Sequence, residues 1–409
     1  MVSVVAQNFN LLINDIWKLK YLKLIVLNFG PQHPSAHGVL WLILNLEGER
    51  ILWAEPQVGL LHWGTEKLVE SKSYFQIAPY LDWLDYVSMM AQEHVYSLIV
   101  EILGNFNIPY WAKLLWVLLL EITWLLNHLL NLTTQALDVG AMTPLLWLFE
   151  EWEKLLEFYE WLSGARMHAN YVWIGGLLMD VPVHFFDNLN IFIEWFIGWL
   201  QEFEELLTLN WIWKYWLVNI GQIDYSWALW AGFSGILLWS CGFKWDIWIL
   251  MPYEAYDQVK FFIPLSFCGD SFDRYLLWIE EMRQSLYIIL QIISNISLGS
   301  IKLDNFKITL PSISLVKTSM EALIHHFKLF TSGLWLNSSL IYCGLEAPKG
   351  EFGITLLTRY NNFTPYRLKF RAPGFFHLQA LNKLVWLGSI SDLVTIIGSQ
   401  DIVFGEIDW

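Results

Sequence analysis

Nine residues near the N-terminus, Gly30-Pro31-Gln32-His33-Pro34-Ser35-Ala36-His37-Gly38, lie between two runs that read as strands. Pro34 removes an amide donor and Gly38 admits backbone angles that other residues avoid, so His33 and His37 cannot share a quiet helix face. The segment has to be a shaped loop that delivers two imidazoles to the start of Val39-Leu40-Trp41-Leu42-Ile43-Leu44. Loops held by a rigid scaffold are where binding chemistry concentrates.

Around that loop, residues 22–30, 38–46 and 50–55 alternate or run apolar, and Glu47-Gly48-Glu49 supplies a turn, which predicts a small N-terminal β subdomain over 22–60. Over 61–335 the period becomes helical, with helices expected at 185–207, at 272–297 behind an Asp270-Ser271 cap, and at 318–331. A short β-containing insertion is expected near 217–265. From 336 to 409, short strands divided by Pro348-Lys349-Gly350 and Pro373-Gly374 predict a β-rich C-terminal part. No internal repeat or low-complexity linker appears. The expectation is an α+β chain forming one functional unit.

Two apolar stretches imitate membrane spans. The run from Leu114 to Leu120 is followed by Glu121, Asn127, His128 and Asn131, which predicts a buried bundle helix rather than a span. Residues 225–243 are uncharged but broken by Gly232, Gly235 and Gly242. No transmembrane helix is expected. The first twenty-four residues, with Lys18, Lys20, Lys23 and Asp15 but no arginine, do not read as a secretory leader or transit peptide.

Three cysteines, Cys241, Cys268 and Cys343, stand far apart with no CxxC pair, which predicts neither a disulfide scaffold nor a metal or cluster site of the chain's own. His33 and His37 lack the further ligands that a metal would need. Gly175-Gly176 lacks the order of a dinucleotide-binding loop, so no nicotinamide or flavin is expected on this chain.

The nonapeptide loop resembles the signature of the quinone-site subunit of respiratory complex I, a relative of the large subunit of nickel–iron hydrogenases. The resemblance continues through Thr65-Glu66-Lys67, Leu84-Asp85-Tyr86, Ala136-Leu137-Asp138-Val139-Gly140, Ser163-Gly164-Ala165-Arg166-Met167-His168, Gly269-Asp270-Ser271-Phe272-Asp273-Arg274, Glu346-Ala347-Pro348-Lys349-Gly350-Glu351 and Gln400-Asp401-Ile402-Val403-Phe404-Gly405-Glu406-Ile407-Asp408. It implies a hydrogenase-large-subunit-like fold and a chamber where ubiquinone is reduced beside a 4Fe-4S cluster held by an adjacent subunit. It also implies partners: the terminal iron–sulfur subunit and the membrane subunit that forms the quinone channel. Nucleic acid is not among them. The implied place is the matrix side of the mitochondrial inner membrane, in the peripheral arm, apposed to the bilayer without crossing it. Hydrogenase activity is not expected, because positions 63–66 read Trp-Gly-Thr-Glu and 405–409 read Gly-Glu-Ile-Asp-Trp, with no thiolate for nickel.

By the same resemblance the family's quinone-binding tyrosine falls on Tyr86, its histidine on His37 and that histidine's aspartate partner on Asp138. A phenol and an imidazole are suitable proton donors to the two carbonyls of a quinone. His168, Arg166, His33 and Trp63 are implied to lie near the neighbouring cluster without ligating it.

One feature departs from the family. The chain has 26 Trp against 7 Arg, and fourteen tryptophans, Trp63, Trp124, Trp239 and Trp248 among them, stand where the family pattern carries arginine. Restoring all fourteen would bring the formal charge from −15 to −1, since −15 + 14 = −1. Arginine and tryptophan codons can differ by one base. Two readings follow. Organellar decoding or transcript editing restores arginine, in which case carboxylates such as Asp85, Glu121 and Glu151 should lie beside those positions. Otherwise the indoles are genuine, and catalysis at the site is weakened or supported by other residues.

Overall fold

The computed structural model describes residues 24–33, 35, 37–296, 299–360 and 362–409. The leader and transit-peptide reading, which concerns residues 1–24, lies almost wholly outside them, as do Pro34 and Ala36 of the loop.

Strands β1 (Leu24–Phe29), β2 (Trp41–Glu47) and β3 (Arg50–Gln57) form an antiparallel sheet in the order β1-β2-β3. Alternation in β2 buries Leu42, Leu44 and Leu46 on one face, as an antiparallel sheet with one wet side requires. That face does not close on its own subdomain. It packs against Leu378, Leu381, Leu393, Ile396 and Ile397 from the far end of the chain. The N-terminal sheet and the C-terminal helices therefore share one core.

The centre is a helical bundle. Helix Tyr110–Val139 runs thirty residues to Gly140, whose φ of 91° suits the left-handed cap of a helix end. Among the described residues it is the one helix long and apolar enough to cross a membrane, yet 94% of its most apolar window is buried within the fold. Glu121, Asn127 and His128 on it are buried as well. Two-residue strands β4 (Val172–Trp173) and β5 (Gly176–Leu177) pair antiparallel, anchored where Glu93 of helix Met89–Gly104 accepts the Tyr171 and Val172 amides at 2.8 and 2.7 Å. Helix Phe185–Leu207 has the predicted bounds; its inward stripe stacks Phe192, Phe196, Trp199 and Phe203 into a column with ring centroids 5.2–5.4 Å apart. Helix Ser271–Ser294 begins where Asp270 accepts the Asp273 amide at 2.8 Å.

The β content expected near 217–265 is not there. Among the described residues that stretch holds only short helical turns, Tyr225–Ala231, Ile236–Trp239, Ile247–Leu250 and Tyr256–Gln258. Glycines at 232, 235 and 242 with φ of 75°, 63° and 83° bend the chain before either period can establish itself.

Toward the end, β6 (Leu340–Ala347), β7 (Gly350–Leu357) and β8 (Arg367–Arg371) form a second antiparallel sheet. The strands occupy the first half of 336–409. Helices Pro373–Gln379, Leu381–Leu384, Ile390–Ser399 and Phe404–Ile407 complete it. The tight β6–β7 turn directs Lys349 inward, where its side chain is fully buried. A Cβ on Gly350, at φ 126°, would meet the Ser234 hydroxyl at 2.5 Å, so the turn is pressed against the bundle.

Candidate functional site

Four segments distant in sequence meet around a cavity of about 400 Å³ lined by Leu61, Trp63, Thr65, Trp83, Leu84, Tyr86, Met167, His168, Gly405 and Trp409. Its walls are mostly apolar, with Trp63, Trp83, Tyr86 and Trp409 among them. Trp63 and Trp83 meet edge-on with centroids 5.3 Å apart, and Trp83 meets His168 at 6.5 Å. This size and apolar lining, with few polar groups, suit a small planar ligand.

The first wall is positioned by Asp408. Its carboxylate accepts the Gly59 amide and the Leu61 amide, both at 2.8 Å, and its carbonyl lies 2.7 Å from His62 Nδ1. Gly405 permits the closing approach, because a Cβ there would sit 2.4 Å from the Leu84 carbonyl oxygen. Residues 404–408 thus clamp the walls at 59–65 and 83–86 together.

Behind Tyr86 lies a buried charge network. The Lys349 ammonium is 3.2 Å from Asp85 Oδ2 and 3.7 Å from Asp401 Oδ2, and it donates to the Asn127 carbonyl oxygen. Asn127 Nδ2 donates in turn to Asp401 at 2.7 Å. Asp85 also accepts the Ser88 hydroxyl and the Val87 amide. Burial presses the lysine toward its neutral form, but Asp401, Asp85 and Glu406 outweigh it and hold the ammonium firmly protonated. Burial, then Asp85, raises the Tyr86 phenol, so it stays a hydrogen-bond donor. Glu406, buried and facing Asp85, is pushed well above the carboxylate range.

The loop's His37 takes φ 46°, an uncommon backbone for a non-glycine residue. Burial and the nearby Lys349 charge lower its imidazole to about 4, and its buried Nε2 has no hydrogen-bond partner. Asp138 is raised to about 6 by burial, against a hydrogen bond from Ser35 that favours the carboxylate. The loop therefore reaches Asp138 through Ser35, and His37 and Asp138 form no ion pair.

Of the residues singled out from sequence, Tyr86, Trp63 and His168 line the cavity. His37 and Asp138 are not among its walls; His37 is linked to Tyr86 through the Lys349 charge that acts on both. His168 is lowered by burial. His33 is exposed, packs on Phe29 with centroids 4.4 Å apart, and accepts the Ser35 amide at 3.2 Å. Arg166 is exposed and paired with Glu153, away from the cavity. Sequence reading missed Lys349, Asp401, Glu406 and Asp408; the available signal was a lysine between Pro348 and Gly350, and acids in the otherwise apolar 401–408 run.

Residues 138–409 match the family described as respiratory-chain NADH dehydrogenase, 49 Kd subunit. An "NADH dehydrogenase [ubiquinone] iron-sulfur protein 2" of Nephroselmis olivacea is 53% identical over 390 residues, spanning 95% of this chain and 98% of the relative. The chain belongs to that family. Other members of it are similarly near. The "NADH-ubiquinone oxidoreductase 49 kDa subunit" of Reclinomonas americana is 53% identical over 95% of this chain and 98% of its own length. The protein of the same name from Cafeteria roenbergensis is 54% identical over 95% of this chain and 97% of its own length. Membership accounts for the N-terminal sheet, helical centre and later strands as one fold.

Proposed function

We propose that this chain is the core subunit of NADH:ubiquinone oxidoreductase in which the quinone is reduced, and that the cavity at Tyr86 receives the head-group. One observation carries the reading: Tyr86 lines a largely apolar cavity beside a buried lysine–carboxylate network. Tyr86 donates a hydrogen bond to one quinone carbonyl. Aromatic walls exclude water and orient the ring. A proton taken from the phenol is replaced through the groups behind it, among which Asp85 and Lys349 touch directly.

The electrons come from a 4Fe-4S cluster in the adjacent subunit. The reading is supported by the sequence separation of this chain's three cysteines, none of which belongs, among the described residues, to a group of histidine, cysteine and acid side chains spaced for a metal. Trp63, His168 and the exposed aromatic rim are the surface that faces that subunit, with this chain in the matrix-side peripheral arm of the complex at the inner membrane. Large exposed side chains such as Trp211, Trp230 and Phe267 mark further contacts with other subunits.

Replacing Tyr86 with Phe in the assembled complex tests the reading. Quinone reduction should fall by roughly 10²–10⁴-fold, the usual worth of a positioned proton donor. NADH oxidation by an artificial acceptor upstream should stay intact. Unchanged quinone reduction would remove Tyr86 from the site.

A further inference from the structure

A second nest of buried acids lies away from the cavity, where helix Tyr110–Val139, helix Ser271–Ser294, β6 and the 246–256 turns meet. Glu121, Asp246, Glu281 and Glu346 are all buried there. Glu121 accepts the Tyr256 hydroxyl at 2.7 Å, Asp246 the Trp248 amide at 2.7 Å and Glu346 the Ile247 amide at 3.4 Å. Glu281 Oε2 lies 2.5 Å from His128 Nε2, but the two are not aligned as a hydrogen bond. Glu121 Oε2, Asp246 Oδ2, Glu346 Oε1 and both Glu281 oxygens have no hydrogen-bond partner.

Among the described residues no lysine or arginine lies within ion-pair distance of any of the four. Lys244 and Arg371 act on Asp246 and Glu346 only from farther away. His128 cannot supply the charge, since burial lowers its imidazole to about 3. Burial instead pushes the acids up, Asp246 to about 7 and Glu121, with Asp246 adding to it, to about 8.

Indoles, with Gln284 and Ser285, line the space beside Asp246 and Glu281. A cavity of about 20 Å³ is walled by Trp124, Trp239 and Trp248 together with Asp246 and Glu281. It has room for about one water and none for a hydrated counter-ion. None of the three indoles answers the acids. Trp239 Nε1 donates to the Trp245 carbonyl at 2.6 Å, Trp248 Nε1 donates to the Tyr253 hydroxyl at 2.5 Å, and Trp124 Nε1 has no partner. An indole carries one donor and no charge, whereas several uncompensated buried carboxylates are among the costliest arrangements a core can hold.

The surplus of tryptophan is chain-wide, at 26 Trp to 7 Arg, and the two residues' codons are separable by one base. We propose that the message for this chain is recoded so that the working protein carries arginine at one or more of positions 124, 239 and 248, whose guanidinium neutralises the nest formed by Glu121, Asp246, Glu281 and Glu346. A guanidinium needs no more space than the indole it replaces and offers five donors in a fork suited to carboxylates.

Peptide mass spectrometry of the protein isolated from its native source decides it. The expected result is arginine at one or more of the three positions, with new tryptic cleavage after each, while Trp199 in the apolar column reads as tryptophan. Tryptophan at 124, 239 and 248 alike overturns the proposal. Arginine at Trp199 as well overturns it too, because the change would then ignore the acids that motivate it.

Discussion

Two acid clusters in this core have the same raw material and opposite solutions. Around Lys349, the acids Asp85, Asp401 and Glu406 gather on one buried ammonium, with Asn127 and Ser88 taking up further oxygens. Around Trp124 and Trp248, whose rings lie 4.8 Å apart, four buried acids have no lysine or arginine within ion-pair distance among the described residues. Burial alone does not decide whether a carboxylate is tolerable; its partner does. The first cluster reads as finished machinery, and the second as machinery with a part of the wrong chemistry in it.

The largest effect should come from making the first cluster like the second. Lys349→Met leaves three buried acids without their cation and should destabilise the fold by about 3–5 kcal/mol, the usual result of removing one partner of a buried pair. Failure of the complex to assemble, or thermal inactivation at much lower temperature, would register it. Full stability in the variant would break the comparison.

The reverse experiment is next in size. In a chain carrying tryptophan throughout, Trp124→Arg should stabilise by about 1.5–3 kcal/mol, the scale of hydrogen bonds to charged groups. Trp199→Arg, set among Phe196 and Phe203, should destabilise by several kcal/mol, since it strands a charge with no acid to meet it. Denaturation midpoints measured side by side would sharpen the contrast, and equal losses would erase it.

The pH dependence separates the clusters more gently. Glu121 and Asp246 have folded-state values of about 8 and about 7, above those of the unfolded chain, so the folded state binds more protons in that window. With indoles in the nest, stability is greatest in acid and falls as pH rises from about 4 to about 8, by up to roughly 1.4 kcal/mol per unit for each group. With guanidinium in the nest the slope disappears. Urea unfolding at several pH values reads the difference directly.

The smallest effect belongs to the surface. Arg166 and Glu153 are each about half exposed, so Arg166→Met should cost less than about 1 kcal/mol and leave quinone reduction unchanged. A large loss of reduction would return Arg166 to the site.

Much of this was legible in the residues, though unevenly. Helix Phe185–Leu207 announced itself because its apolar stripe repeats every turn, and the Gly30–Gly38 loop because proline and glycine leave little else to form. The turns at 217–265 were misread because glycines interrupt every period before it can be recognised. Tyr86 shares its cavity with Trp63 and His168, whereas His37 and Asp138, grouped with Tyr86 from the sequence, do not line it. Lys349 went without a role because nothing local marks a lysine as buried; its three acids arrive from 85, 401 and 406, and only the fold makes them neighbours. The nest of Glu121 was half visible, as a charge inside an apolar helix. Asp85, expected beside an indole, is instead matched to Lys349, and Glu151 is met at one oxygen by Lys154.

Asp408 holds Gly59 and Leu61 across a separation of 347 to 349 residues. During synthesis, then, the aromatic wall at 61–86 is made early and stays uncovered until more than four hundred residues have left the ribosome. At about 5–20 residues per second that interval lasts on the order of twenty seconds or more, a long exposure for adhesive surface. Chaperone retention through that interval, or delivery straight to a waiting partner, is part of what so late a clasp requires of the cell.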